Sequence, residues 1–94
     1  MYATIRTYAG AGDLIAALTR EQDSVKSQMS AVPGFRAYYF VATSDGGGTS
    51  VTVCDDQAGT EESNRVAAAW IAANLPGLSI APPAVSAGEV AVTF

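Results

Sequence analysis

Few side chains in this sequence are equipped for chemistry. Cys54 closes a strand-like run, and the acids Asp55, Asp56, Glu61 and Glu62 follow it closely. Trp70 comes further along the same stretch, and Arg6, Tyr8, Tyr39 and Asn64 are further side chains with polar tips. The chain has no histidine. A nucleophilic cysteine needs a neighbouring base or a positive field to form its thiolate, so without imidazole Cys54 reads as a buried, inert thiol. A zinc site of the usual kind lacks ligands for the same reason. The four acids could hold a hard cation, but their place at the start of a helical stretch suits helix capping and the helix dipole. Gly10-Ala11-Gly12 is a turn, because Ile15 stands where a dinucleotide loop needs its third glycine. No metal and no cofactor are expected.

The remaining candidates suit ligand binding better than covalent chemistry. Trp70 follows Val66 by four positions on the apolar stripe of a helix, where it is either core or the wall of a pocket. Asn64, on the same helix, is either solvated or a binding group. The phenols of Tyr8 and Tyr39 can hydrogen-bond a ligand while their rings pack, or serve as satisfied structural tyrosines. For Arg6 the alternative is an ion pair across an interface between two copies. Trp70, Tyr39, Tyr8, Asn64 and Arg6 form the candidate substrate-binding set.

These residues must be positioned by the elements that the patterning predicts. Residues 1–8 alternate in character as a strand does, and Gly10 and Gly12 end it. Asp13 then caps a helix whose apolar positions are Leu14, Ile15, Leu18, Val25, Met29 and Val32. Pro33-Gly34 stops it. Two aromatic and β-branched runs flank Gly46, Gly47 and Gly48, which predicts a hairpin over 33–55. A second helix spans 58–75, with Val66, Ala67, Trp70, Ile71 and Leu75 as its apolar stripe, and Pro76-Gly77 ends it. Residues 78–83 read as an irregular connection, since Pro82-Pro83 fits neither a helix nor a central strand. A last strand covers 85–94, with Val90, Val92 and Phe94 on one face. The order is βαββαβ. Right-handed crossovers place both helices on one side of a four-stranded, mainly antiparallel sheet, so the chain is expected to be a single α+β, ferredoxin-like domain over 1–94.

Alternation divides the strands into two faces. The helices are expected over the aliphatic one, Ala3, Ile5, Ala37, Tyr39, Val41, Val51, Val53, Val90 and Val92. The other carries Tyr2, Thr4, Arg6, Tyr8, Arg36, Tyr38, Phe40, Ser50, Thr52, Cys54, Glu89 and Thr93. Its aromatics and few charges suit an interface, so a homodimer is expected to pack through this sheet face, with Glu89 available to Arg6 or Arg36. Composition agrees: 49% of residues are apolar and 15% charged, against a norm of about 25% charged, and a domain this small buries only about 60–65% of the surface of its unfolded chain. Net charge is −4 and the basic residues are scattered, so nucleic acid is not an expected partner. No apolar run is long enough to cross a membrane. The absence of a signal-like start and the single cysteine point to a reducing cytoplasm.

The βαββαβ order, Val32-Pro33-Gly34-Phe35 leading into the second strand, the segment Glu61-Glu62-Ser63-Asn64-Arg65 and the helix ending in Trp70-Ile71 resemble the dimeric α+β-barrel superfamily. Within it the chain is similar to the small antibiotic biosynthesis monooxygenase-like proteins. That resemblance implies a pocket between sheet and helices, used in relatives for cofactor-independent oxygenation of polycyclic aromatics or for haem degradation. It also implies an asparagine on the first strand, a tryptophan on the second helix and a nearby tyrosine or histidine. Trp70 matches the tryptophan, residues 2–8 offer no asparagine, and histidine ligation of haem is excluded. Two functions follow: a cofactor-independent monooxygenase-like enzyme or binder of a small aromatic or apolar metabolite, or a non-catalytic dimeric scaffold or interaction domain.

Overall fold

A computed structural model describes residues 1–94. Strand β1 (Tyr2–Tyr8) leads into helices α1 (Gly12–Arg20) and α2 (Gln22–Ser30). The hairpin β2 (Phe35–Ala42) and β3 (Gly48–Cys54) follows, then helix α3 (Gln57–Asn74) and strand β4 (Ala84–Glu89). The four strands form one antiparallel sheet in the order β2-β3-β1-β4, the ferredoxin-like arrangement expected from the crossovers. β1 and β3 are central, so both edges of Tyr2–Tyr8 are hydrogen-bonded to neighbouring strands. The hairpin turns at Gly46, whose φ of 84° is open to glycine at no steric cost. Asp45 holds that turn by accepting hydrogen bonds from Thr43 Oγ1 and the Gly47 amide.

The parity of the strands is as the sequence dictates, but the helices lie on the opposite side from the one expected. Thr4, Arg6, Tyr8, Ser50, Thr52 and Cys54 are all buried beneath them. Ile5, Tyr39 and Val41 face outward and are exposed. Alternation separates two faces without saying which one the helices cover. The rings of Tyr8, Tyr38 and Phe40 explain the outcome. They reach far enough from the sheet to fill the space beneath the helices, whereas Ala3, Ile5, Val51 and Val53 make a low, flat surface better matched to another sheet. Tyr8 and Phe40 stack with centroids 5.9 Å apart. The core holds Leu14, Ala17, Val25, Met29, Trp70 and Leu75 around them.

Four further expectations are corrected. The first helical region is two helices, broken at Glu21, where φ and ψ are −113° and 34°. No glycine or proline marks the break. Thr19 Oγ1 donates to the Ile15 carbonyl and Gln22 Nε2 to the Thr19 carbonyl, local bonds that compete with the helical ladder. Asp13 lies inside the first turn of α1 and does not cap it, whereas Asp56 does cap α3 by accepting from the Gly59 amide at 2.9 Å. β4 ends at Glu89, and 90–94 continue outside the sheet with one backbone bond from Val90 to Met1. A bulge at Arg36, between the pairs Phe35↔Cys54 and Ala37↔Val53, turns that side chain out to an ion pair with Asp55. Within the chain Glu89 makes no ion pair with Arg6 or Arg36.

Candidate functional site

The site is built on β1. Thr4, Arg6 and Tyr8 sit at alternate positions and point together toward α3. Their cross-strand partners on β3 are Thr52, Ser50 and Gly48. The result is a polar strip down the middle of the sheet, roofed by α3 and flanked by aromatic rings.

Arg6 is its centre, with 2% of its surface exposed. Its Nη1 donates to Asn64 Oδ1 at 2.8 Å, and its Nη2 to Thr52 Oγ1 at 3.2 Å. Thr4 Oγ1 donates to the same Asn64 oxygen at 3.1 Å. Arg6 Nε and Ser50 Oγ, on residues paired across β1 and β3, are buried without a partner. The ion pairs of the chain join Arg20 to Glu21, Arg36 to Asp55 and Arg65 to Glu62, all at the surface. Arg6 thus brings a full positive charge into the interior with no carboxylate to meet it.

Two spaces meet at Arg6 and Tyr8. One is a narrow chamber of about 20 Å³, walled by Trp70, Tyr38, Phe40, Leu14 and Met29, room for about one water. The other is an open groove of about 440 Å³ between α3 and the edge strand, with Asn64, Ile71, Ile80, Pro83 and Val85 on its sides. The groove is within the usual range of small-molecule sites, roughly 300–1,000 Å³. Trp70 Nε1 donates to Ser24 Oγ at 3.0 Å, so the indole is tied to α2 and only its ring borders the chamber.

Arg6, Tyr8 and Tyr38 are the titratable groups on these walls. Burial pushes the Tyr38 phenol above its ordinary pKa, with Arg6 opposing and Tyr8 adding to the shift. At neutral pH Tyr38 is a hydrogen-bond donor and no base. Burial likewise raises the Cys54 thiol, and Asp56 and Asp55 raise it further. Its field is the reverse of what a nucleophilic thiolate requires.

The structure brings Arg6, Tyr8 and Asn64 together at the groove and Arg6, Tyr8 and Trp70 at the chamber. Tyr39 stands apart, on the outer face and 62% exposed. Its neighbour Tyr38 takes the inward place. Sequence reasoning missed Tyr38 for the role, together with Thr4, Ser50 and Thr52. The available signal was parity: Tyr38 is on the same face as Arg6 and Tyr8 once Thr52 is set opposite both strands.

No family model and no curated protein matches the chain in sequence. Solved structures do. A protein of unknown function from Nitrosomonas europaea superposes with a TM-score of 0.73 at 21% identity, over 99% of this chain and 91% of that one. A monooxygenase from the ActVA-Orf6 gene of Streptomyces coelicolor, in complex with nanaomycin D, gives 0.71 at 15% identity, over 99% and 89%. An MhuD variant with two manganese protoporphyrin IX molecules bound per active site gives 0.72 at 17% identity, over 100% and 98%. At these identities the likeness establishes the fold, and the resemblance seen in the sequence is met at that level.

Proposed function

We propose that this chain is a monooxygenase-like protein that takes a small aromatic or apolar compound between sheet and helices, and that it acts as a homodimer. The main support is the groove of about 440 Å³ that ends on the buried side chain of Arg6. Apolar walls with a few convergent polar groups are the usual make-up of a small-molecule site. Two neighbours of the same fold carry planar polycyclic ligands, nanaomycin D in one and manganese protoporphyrin IX in the other. In an oxygenase reading dioxygen is the oxidant and the substrate supplies the electrons. Tyr8 and Arg6, which border the groove, contribute hydrogen bonds and positive potential at its oxygen atoms.

The dimer is inferred from the outer face of the sheet. Ala3, Val53 and Ala37 form one cross-strand row, Ile5, Val51 and Tyr39 a second, and Thr7, Thr49 and Val41 a third. None of these residues is charged, whereas a sheet face left in water normally carries solvated groups. A flat, uncharged, self-complementary face suits an identical sheet packed about 10 Å away. The partner surface is therefore the aliphatic side, the reverse of the side expected from the sequence.

Trp70 is the only tryptophan, so its fluorescence reports on the site. Titration with nanaomycin D is expected to quench it saturably, and Val85→Phe, which adds bulk at the groove mouth, is expected to weaken that quenching. The small volume of the chamber, about 20 Å³, favours the second reading, a non-catalytic dimeric domain. Quenching that fails to saturate with nanaomycin D and with other planar polycyclic compounds would leave that reading standing alone.

A further inference from the structure

We propose that Arg6 is an oxyanion anchor, and that the ligand of the groove is an aromatic or apolar compound carrying a carboxylate or an ionised phenol. The inference rests on the pocket reading above and specifies its substrate class. A guanidinium this deeply buried is ordinarily paired with an acid, because moving an unpaired charge out of water is strongly unfavourable. Here both terminal nitrogens are held by neutral oxygens, those of Asn64 and Thr52, and the inner nitrogen has no partner. Ser50, paired with Arg6 across the strands, adds a second buried polar atom with nothing to bond. The side chain with the unmet inner nitrogen borders both spaces, so an anionic oxygen that reaches Arg6 from the groove would be bound there, where a neutral apolar group would not be favoured.

The surroundings fit one such oxygen at the end of a hydrophobic body. Arg6 borders both spaces, and Ile71, Ile80, Pro83 and Val85 supply apolar walls beside it. The Tyr38 phenol, held neutral by burial, carries no competing negative charge at neutral pH. Asn64 holds the guanidinium from above without neutralising it. An aspartate there would have the same shape and would satisfy the charge from within.

The test compares naphthoate with naphthylmethanol, which keeps the rings and replaces the carboxylate by a neutral hydroxymethyl group, by titration calorimetry on the full chain. Naphthoate is expected to bind about tenfold to a hundredfold more tightly, the span that a hydrogen bond to a charged group supplies. In Asn64→Asp that preference is expected to vanish while naphthylmethanol binding persists, and in Arg6→Lys part of the preference is expected to remain. Equal binding of both probes to the unmodified protein overturns the anion anchor and leaves the pocket reading intact. Binding of neither overturns both. Persistence of the preference in a folded Asn64→Asp protein shows that the anion is met elsewhere and overturns the assignment to Arg6. If Asn64→Asp does not fold, the comparison of the two probes on the unmodified protein decides.

Discussion

Replacing Asn64 by alanine should cost far more stability than replacing Arg6 by methionine, although the two side chains share a hydrogen bond. Asn64→Ala removes the acceptor 2.8 Å from Arg6 Nη1 and 3.1 Å from Thr4 Oγ1. A buried charged donor is then left unpaired at a cost of about 2–3 kcal/mol, and the Thr4 hydroxyl, fully buried, adds about 1 kcal/mol. Water admitted from the groove would return part of this, so the expected loss is about 2–4 kcal/mol. Arg6→Met also removes two hydrogen bonds, each worth about 1.5–3 kcal/mol to a charged group. It simultaneously removes an uncompensated buried charge, whose effective desolvation penalty is several kcal/mol. Asn64 Oδ1 keeps its bond from Thr4, so no acceptor is orphaned there. The net change should lie within about 1 kcal/mol of zero by this difference of terms. Urea unfolding followed by Trp70 fluorescence, at one fixed protein concentration because a dimer shifts the midpoint by mass action, separates the two. For a domain of this size the slope is about 1 kcal/mol per molar urea, so the Asn64→Ala midpoint should fall by about 2 M or more, and that of Arg6→Met by no more than about 1 M. An Arg6→Met loss equal to or larger than that of Asn64→Ala would refute the reasoning, because the guanidinium would then be adequately compensated by its neutral partners.

Three other outcomes follow from the same geometry. Trp70→Phe keeps most of the buried ring but loses the bond to Ser24. Stability should fall by about 1–2 kcal/mol, whereas ligand affinity measured by calorimetry should fall by more than the stability change implies; equal losses would reduce Trp70 to core. Ile5→Asp puts a charge at the centre of the outer rows and should convert dimer to monomer by light scattering, with little loss of helical circular dichroism; an unchanged mass would exclude this face as the interface. Alkaline pH should destabilise the fold: burial raises both Cys54 and Tyr38, so the folded state holds these protons longer than the unfolded chain. Their contribution is complete below the unfolded values and is lost as pH rises through the folded ones. Thermal melts should therefore decline from about pH 9 upward, where a free thiol ionises, and Cys54→Ala should delay the decline toward the phenol range near pH 10.

The reversal of the sheet faces shows where sequence reasoning reaches its end. Period-two alternation is a property of each strand, so it grouped Arg6 with Tyr8 and Ile5 with Ala3 without needing any contact between them. Choosing between the groups by apolarity failed, because buried Arg6 donates to Thr52 directly and, with Thr4, to Asn64, a residue 58 positions from Arg6 in the chain. That long-range satisfaction makes the polar face an acceptable interior. It also moved the inward tyrosine from Tyr39 to Tyr38.

Elements and their order were determined by local chemistry: the glycine turn at Gly46, the stop at Pro33-Gly34, the cap at Asp56 and the apolar stripe of α3 act over a few residues and are legible one segment at a time. The break at Glu21, the end of β4 at Glu89 and the bulge at Arg36 were decided only in the folded molecule, since each depends on partners that the chain meets after it has closed. The same holds for the charge at the centre of the site. One arginine on a strand is an ordinary residue until the helix above it supplies an amide where an acid was needed.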